Sequence, residues 1–134
     1  MKVVLDTNVF VSGVFFSGLP FQILQAWRDG NIQLITSPEI LDEYQRVGEM
    51  LAEEHPVIDL ERMLEYVIHN AVVFFSPPLL ERVCDDSDDD KFLACALASG
   101  SNLVVSGDRH LLKVSGYQNI EVLKPRDFLE KYLG

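Results

Sequence analysis

Val3-Val4-Leu5-Asp6-Thr7-Asn8, near the N-terminus, is the stretch of sequence that decides the fold. Its three consecutive apolar residues are typical of a strand covered on both faces, as strands of parallel sheets are. The apolar run stops at Asp6, and no glycine-rich loop follows it, so a nucleotide-binding Rossmann domain is poorly supported. The stretch predicts a buried strand that brings a carboxylate to the edge of a sheet.

Four further apolar runs predict four more strands, and segments with helical spacing lie between them. The five predicted strands are Val3–Leu5, Ile32–Thr36, Ala71–Phe75, Leu103–Ser106 and Ile120–Leu123. The predicted helices cover residues 21–28, 38–51, 60–70 and 89–99, a short segment after residue 108, and a segment that begins at residue 125. This alternation predicts an α/β fold: a single-domain three-layer sandwich, residues 1–134, around a five-stranded, mostly parallel sheet.

Composition limits the classes of function. The chain has 134 residues, of which 48% are hydrophobic, and this suits one compact domain. Its net charge of −10 argues against a protein that coats nucleic acid, because such proteins neutralise phosphates with basic side chains. A metal-dependent enzyme stays open, since divalent cations can invert the charge at the point of contact.

Location is predicted from what the sequence lacks. The first apolar run is too short for a signal peptide, and no segment approaches the roughly 20 apolar residues of a membrane span. We therefore expect a cytoplasmic protein without membrane contact. Cys84 and Cys95 form neither a disulfide framework nor a zinc site, and we expect both to be buried reduced thiols.

Two acids follow predicted strands, Asp6 after the first and Asp108 after the fourth. In open α/β sheets, functional sites form beyond the carboxyl ends of the strands, so the two together indicate a site. Glu43 is a third candidate, because helical spacing puts it at the edge of the apolar stripe that contains Tyr44. A boundary residue with no function is the alternative for Glu43.

The segment Asp85-Asp86-Ser87-Asp88-Asp89-Asp90 puts five acids within six residues at the start of a helix. Helix capping accounts for one or two of them. Five repel one another, and a divalent metal ion relieves that repulsion. Periodicity allows either Asp89 or Asp90 to face inward. Oxygen ligands favour Mg²⁺ or Mn²⁺ over zinc or copper.

Four motifs in this order resemble the PIN-domain ribonucleases, and most of all the VapC-like toxins of toxin–antitoxin pairs. The motifs are Leu5-Asp6-Thr7-Asn8-Val9-Phe10-Val11-Ser12, Ser37-Pro38-Glu39-Ile40-Leu41-Asp42-Glu43-Tyr44, Asp88-Asp89-Asp90-Lys91-Phe92-Leu93-Ala94 and Val105-Ser106-Gly107-Asp108. The resemblance implies an Mg²⁺- or Mn²⁺-dependent endoribonuclease with RNA as substrate, a small antitoxin as partner and a tendency to form homodimers.

The resemblance also implies roles for individual residues. The catalytic and metal-binding acids would be Asp6, Glu43, Asp90 and Asp108. Asn8 and Ser106 match supporting polar positions. The pattern does not require Asp86, Asp88 or Asp89, and Asp88 is expected to be an auxiliary ligand or a helix cap. Arg46, Lys91 and Arg109 flank site acids in the sequence and are the expected contacts to the RNA backbone, with surface ion pairs as the alternative for each.

Three other functions compete with this interpretation. A haloacid-dehalogenase-like phosphotransferase needs a second Asp two residues after the first, and Asn8 stands there. A non-enzymatic acidic interaction module would bind metal without turning over RNA. A structure-specific DNA nuclease is separated from a ribonuclease only by the resemblance.

Overall fold

The computed structural model of the protein describes residues 1–134 and contains five strands and seven α-helices. The strands are β1 (Lys2–Leu5), β2 (Gln33–Thr36), β3 (Val72–Val73), β4 (Leu103–Val105) and β5 (Glu121–Leu123). The helices are α1 (Thr7–Phe15), α2 (Leu19–Arg28), α3 (Pro38–Glu54), α4 (Leu60–Asn70), α5 (Asp90–Ser99), α6 (Arg109–Leu112) and α7 (Pro125–Tyr132). Two 3-10 turns cover Ser87–Asp89 and Tyr117–Asn119.

The five strands form one sheet in the order β3-β2-β1-β4-β5, and every pair is parallel. β1 lies at its centre, with Val4 opposite Ile35 on one side and Val104 on the other. Its three apolar residues are completely or almost completely buried, as the continuous apolar run predicts. The predicted α/β class with a five-stranded sheet is therefore confirmed.

Helices cover both faces of this sheet. α1 packs against α2 and α3, whereas α5 packs against β1, β2 and β4. The chain moves outward from β1 to β3 and then returns across the sheet to β4, so right-handed crossovers put α5 on the opposite face. One continuous core of 30 buried apolar residues joins the layers, as expected of a single domain.

Two elements differ from the sequence-based prediction. α1 was not predicted, and the first helix was expected only from Phe21 onward. β3 contains two residues where five, Ala71–Phe75, were expected, because it is an edge strand and Phe75 is 86% exposed beyond it. Each of the other four strands differs from its predicted range by one residue at one end.

No single helix is long and apolar enough to cross a membrane. α1 and α2 reach the required length and composition only as a pair, and they are bent by 87° where they join.

Candidate active site

The site lies where β1 and β4 end side by side. The order of the strands reverses between these two neighbours, and this is where open α/β sheets form crevices. The backbone N–H of Asp6 donates to the carbonyl of Val105 at 3.0 Å, which fixes the start of α1 against the end of β4. The residues after each strand, Asp6 and Ser106, therefore meet at the carboxyl edge.

Asp6 is the only acidic residue among the buried residues, with 3% of its surface exposed. One carboxylate oxygen caps α1 by accepting from the N–H of Val9 at 2.8 Å, and the other accepts from the hydroxyl of Ser106. No cationic side chain pairs with it. Burial raises the pKa of Asp6 to about 6; the two hydrogen bonds oppose this, and the negative charges of Asp108 and Glu43 add to it.

Ser106 connects Asp6 to Asp108. Its hydroxyl donates to Asp6 and accepts from the backbone N–H of Asp108 at 2.9 Å. One oxygen of Asp108 caps the short helix α6 by accepting from the N–H of His110 at 2.7 Å. The other oxygen makes no hydrogen bond within the chain.

Glu43 reaches the site from α3, and its side chain is 16% exposed. The hydroxyl of Thr7 donates to Oε1, and the ammonium of Lys91 donates to Oε2. The guanidinium of Arg46 lies 3.7 Å from Oε2 but is itself 67% exposed. Glu43 is therefore held in place on both oxygens.

Tyr44 sets the position of α3 relative to β1. Its hydroxyl donates to the carbonyl of Leu5 at 2.6 Å, and its ring stacks on Phe10 with the centroids 4.0 Å apart. Both aromatic rings are fully buried. Because Glu43 precedes Tyr44 in the sequence, this anchor holds the Glu43 carboxylate close to the end of β1.

The acidic cluster does not act as one unit. Asp85 is exposed and pairs with Lys113 at 3.3 Å and with His110 at 3.5 Å, so its pKa lies below the usual range, mainly because of Lys113. Asp86 caps the 3-10 turn by accepting from the N–H of Asp88 at 3.0 Å. These acids stabilise local structure, as the capping explanation predicts for one or two of them.

Asp90 is also engaged by the backbone. Its two oxygens accept from the N–H groups of Val83, at 3.0 Å, and Cys84, at 2.7 Å. It therefore fastens the preceding loop to the start of α5. The loop supplies two N–H donors that require an acceptor, and Asp90 provides it. That Asp90 also binds metal stays a prediction.

Asp89 is the member of the cluster whose carboxylate makes no hydrogen bond or ion pair within the chain. It is half-buried, and burial raises its pKa to about 6, with further upward effects from the charges of Asp108, Asp86 and Glu43. Lys91 opposes this rise. Periodicity alone leaves Asp89 and Asp90 equivalent, whereas in the structure only the Asp90 carboxylate is bound by backbone N–H groups.

The remaining predicted residues fall into two groups. Ser106 and Lys91 lie inside the site, and Asp88 lies beside it with its carboxylate 3.6 Å from the Lys91 ammonium. Asn8 and Arg109 are exposed, and neither side chain makes a hydrogen bond or ion pair within the chain. Arg109 is thus available to a ligand, whereas Lys91 is already engaged.

Sequence reasoning missed Thr7 and Tyr44 as supports of the site. The available signal for Thr7 was its position directly after Asp6, where a hydroxyl at the start of a helix can reach a neighbouring carboxylate. Tyr44 was read as part of the apolar stripe, and it is; nothing in that spacing indicates that its hydroxyl binds the end of β1.

No three carboxylates are gathered around one common point in this arrangement. The residues nevertheless fit a hard divalent cation. Asp6 is a buried carboxylate without a cationic partner, and the acids and the hydroxyl near it offer oxygen atoms as metal ligands. The acids that could hold such an ion are Asp6, Asp108, Glu43, Asp89 and Asp90. The His and Cys side chains contribute no soft-metal cluster.

Comparison with known proteins gives two findings. The family described as "PIN domain" matches residues 2–110, a range that contains every acid named above. An uncharacterized protein of Methanocaldococcus jannaschii is 29% identical over an alignment of 148 positions, which covers 98% of this chain and 92% of that protein. That relative carries no functional name.

Proposed function

The chain belongs to the PIN-domain family, and from this premise we propose that it is an endoribonuclease that hydrolyses phosphodiester bonds in RNA with the help of a divalent metal ion. PIN domains are typically nucleases and generally use divalent metal ions. The observation that carries the proposal is Asp6, a buried carboxylate without a counter-charge at the point where β1 and β4 end. A divalent cation would offset the cost of burying this charge, and perturbed carboxylates of this kind cluster at functional sites.

The ion we propose is Mg²⁺ or Mn²⁺, held by Asp6 and Asp108 with Asp89, while Glu43 lies beside it with its two oxygens bound by Thr7 and Lys91. We propose Asp89 in the position that the resemblance gave to Asp90, because the half-buried Asp89 carboxylate makes no hydrogen bond within the chain, whereas the Asp90 carboxylate joins the 83–84 loop to α5. When bound, the ion supplies Lewis-acid chemistry, lowering the pKa of a water and offsetting charge on phosphate oxygens.

The side chains of the chain prepare this site. Ser106 orients Asp6 and, through the N–H of Asp108, fixes the two acids relative to each other. Thr7 holds Glu43 from the side of β1. Arg109 and Arg46 are exposed beside these acids and are the proposed contacts to RNA phosphates. By family likeness the products carry 5′-phosphate and 3′-hydroxyl ends.

The direct test is RNA hydrolysis by the purified protein with Mg²⁺, with Mn²⁺ and with excess EDTA. We expect cleavage with either metal, none in EDTA, and none with Asp6→Asn. Asp42→Asn is the matched control, because it removes one carboxylate from the exposed face of α3, and it should cleave like wild type. Full cleavage in EDTA, or by the Asp6→Asn protein, would refute the proposal.

The same assay separates the rival functions. Single-stranded RNA, looped RNA and branched DNA are presented at equal concentration, and the proposal requires that RNA is cleaved faster. Preference for branched DNA would replace the ribonuclease by a structure-specific DNA nuclease. Metal binding without cleavage of any substrate would favour a non-enzymatic interaction module.

We further propose a role as the toxin of a toxin–antitoxin pair in the cytoplasm. It rests on the VapC-like motifs and on the concentrated negative charge of the site, which suits a basic segment of a small antitoxin. Induction in a bacterial host should arrest growth, and Asp6→Asn should abolish the arrest. Harmless induction of an active nuclease, with no small co-purifying partner, would exclude the toxin role alone. A homodimer, also proposed from the likeness, is tested by light scattering.

A further inference from the structure

We propose that the Lys91 ammonium is a built-in cation of the active site, occupying the place that a second divalent ion would otherwise take, so that the chain binds one metal ion rather than two. This inference rests on the proposed metal-dependent function and deepens it. It concerns a residue for which sequence reasoning expected an RNA contact or a surface ion pair.

The position of Lys91 in α5 is unfavourable by itself. It is the second residue of the helix, where the macrodipole is positive and disfavours a cation. An acid is the usual residue at such a place. Since local structure disfavours the lysine, a tertiary contact has to compensate for it.

That contact is with oxygen atoms of the site. The ammonium donates to Oε2 of Glu43 and to the backbone carbonyl of Asp88 at 2.9 Å, and it lies 3.6 Å from Oδ1 of Asp88. The Lys91 side chain is only 16% exposed, and the ring of Phe92 lies 5.3 Å from its nitrogen. A cation surrounded by a carboxylate, a carbonyl and a second carboxylate has the oxygen environment that hard metal ions prefer.

The charge of the site leads to the same conclusion. Four ionised acids, Asp6, Glu43, Asp89 and Asp108, carry four negative charges, and one divalent ion neutralises two of them. Lys91 neutralises a third from within the fold. In two-metal nucleases the second ion sits about 3.5–4 Å from the first and neutralises this charge instead. Here Glu43, an acid such an ion would need, already has Lys91 on one oxygen and Thr7 on the other.

The test is the number of Mn²⁺ ions bound, measured by calorimetric titration and by electron paramagnetic resonance without RNA. Wild type should bind one isolated ion. Lys91→Met should bind two, and the spectrum should show spin coupling between close ions. Lys91→Arg keeps the charge and should bind one. Lys91→Gln, which keeps a hydrogen-bond donor to Glu43, replaces the Met variant if that protein does not fold, and should also bind two.

Lys113→Met is the matched control, because Lys113 pairs with exposed Asp85 and not with Glu43. It lowers the positive charge near the site by the same amount and should bind one ion. Two ions on wild type, or one ion on both neutral Lys91 variants, would overturn the inference.

A further variant separates this inference from the proposed function. Asp6→Asn should lose the single ion if the proposed metal site is correct. Retention of that ion by Asp6→Asn would refute the metal site itself. Loss of the ion in Asp6→Asn together with one ion in both neutral Lys91 variants would refute only the role of Lys91.

Discussion

At the scale of the residue, Asp6 combines two roles that conflict. As the N-cap of α1 it satisfies the N–H of Val9, a contribution of about 1 kcal/mol. As a buried carboxylate without a cation it costs free energy, because water solvates the charge better than the crevice does. The hydroxyl of Ser106 offsets part of this cost. The metal-free protein with Asp6 ionised is therefore expected to be less stable than the same protein with this charge neutralised.

This conflict predicts how stability depends on pH. The folded-state pKa of Asp6 is about 6, above its ordinary value of 3.8, so the native state binds more protons than the unfolded chain between these values. The free energy of unfolding should fall as pH rises from about 4 to about 6, by up to about 3 kcal/mol, and stay low above that.

Asp6→Asn should abolish this loss. We expect the variant to exceed metal-free wild type by about 1–3 kcal/mol at pH 8 and to match it near pH 4, where Asp6 is protonated in wild type. Urea unfolding at both pH values in EDTA measures the difference, with Asp42→Asn as the exposed control. A variant that is less stable than wild type at pH 8 would contradict this account.

Asp89 and Asp90 are adjacent in sequence and differ in what their oxygens contact. Asp90→Asn should lose at least one of two charge-assisted hydrogen bonds to the 83–84 loop and destabilise the protein by about 1–3 kcal/mol. Asp89→Asn should leave stability unchanged or raised, because it removes a partly buried charge near Asp108.

The two variants should rank in the opposite order in activity: Asp89→Asn, the more stable protein, should be the less active one. Asp89→Asn should lower kcat by more than Asp90→Asn, for which we expect about a 10–100-fold loss, as for residues that position a ligand. Urea unfolding and RNA cleavage at saturating Mg²⁺ are measured on both proteins. An inactive but fully stable Asp90→Asn protein beside an active Asp89→Asn protein would restore Asp90 as the ligand.

At the scale of the element, α1 owes its existence to packing. Its sequence is rich in β-branched residues and contains a glycine, which disfavours a helix by itself. Six of its nine residues are buried, on more than one side, so it shows no apolar stripe beside a polar face. The intrinsic preferences of its residues do not stabilise this helix, and its contacts with α2 and α3 do.

Gly13 shows how close this packing is. A Cβ atom there would lie 2.6 Å from Cδ1 of Leu24 and 2.9 Å from the carbonyl oxygen of Pro20. Gly13→Ala should therefore destabilise the protein by about 1–3 kcal/mol, although alanine in a helix is normally favoured by about 0.5–1 kcal/mol. The backbone oxygen cannot move without displacing α2.

Gly48 in α3 provides the comparison. A Cβ atom there would meet only the side chain of Leu60, with its methyl carbons at 2.9 and 3.0 Å, and this flexible end can shift. Gly48→Ala should cost less than Gly13→Ala in urea unfolding. Equal costs, or a stabilised Gly13→Ala protein, would show that α1 and α2 are not packed as described.

At the scale of the whole molecule, a net charge of −10 opposes any approach of RNA. A basic protein binds RNA less tightly when divalent ions are added, because they compete for the phosphates. Here the expected effect has the opposite sign, since the cation joins two negatively charged surfaces.

RNA binding should therefore require divalent ions. Fluorescence anisotropy with the wild-type protein and a short single-stranded RNA that carries a non-hydrolysable linkage should show binding at least about 10-fold tighter with Mg²⁺ than with EDTA. Arg109→Ala in the same background should weaken the binding further, because its guanidinium is free. Equal affinity with and without Mg²⁺ would mean that RNA binds elsewhere.

Much of the fold could be predicted from the sequence for one physical reason. Inner strands of a parallel sheet are buried on both faces, so each leaves a continuous apolar run; such runs mark β1, β2, β4 and β5, whereas the edge strand β3 is apolar but exposed. The acids that follow such runs stand at the carboxyl edge wherever the sheet is placed, which locates Asp6 and Asp108. Local sequence determined these features because each depends on a single element.

Tertiary structure alone decided the rest. α1 forms because neighbouring helices enclose it, and Asp90 differs from Asp89 because two N–H groups of a loop bind Asp90 alone. Lys91 is tolerated in the first turn of α5, where the helix dipole disfavours a cation, because Glu43, 48 positions away, forms an ion pair with it. Each of these outcomes depends on groups that are distant in the chain and become neighbours only after folding, so no local pattern records them.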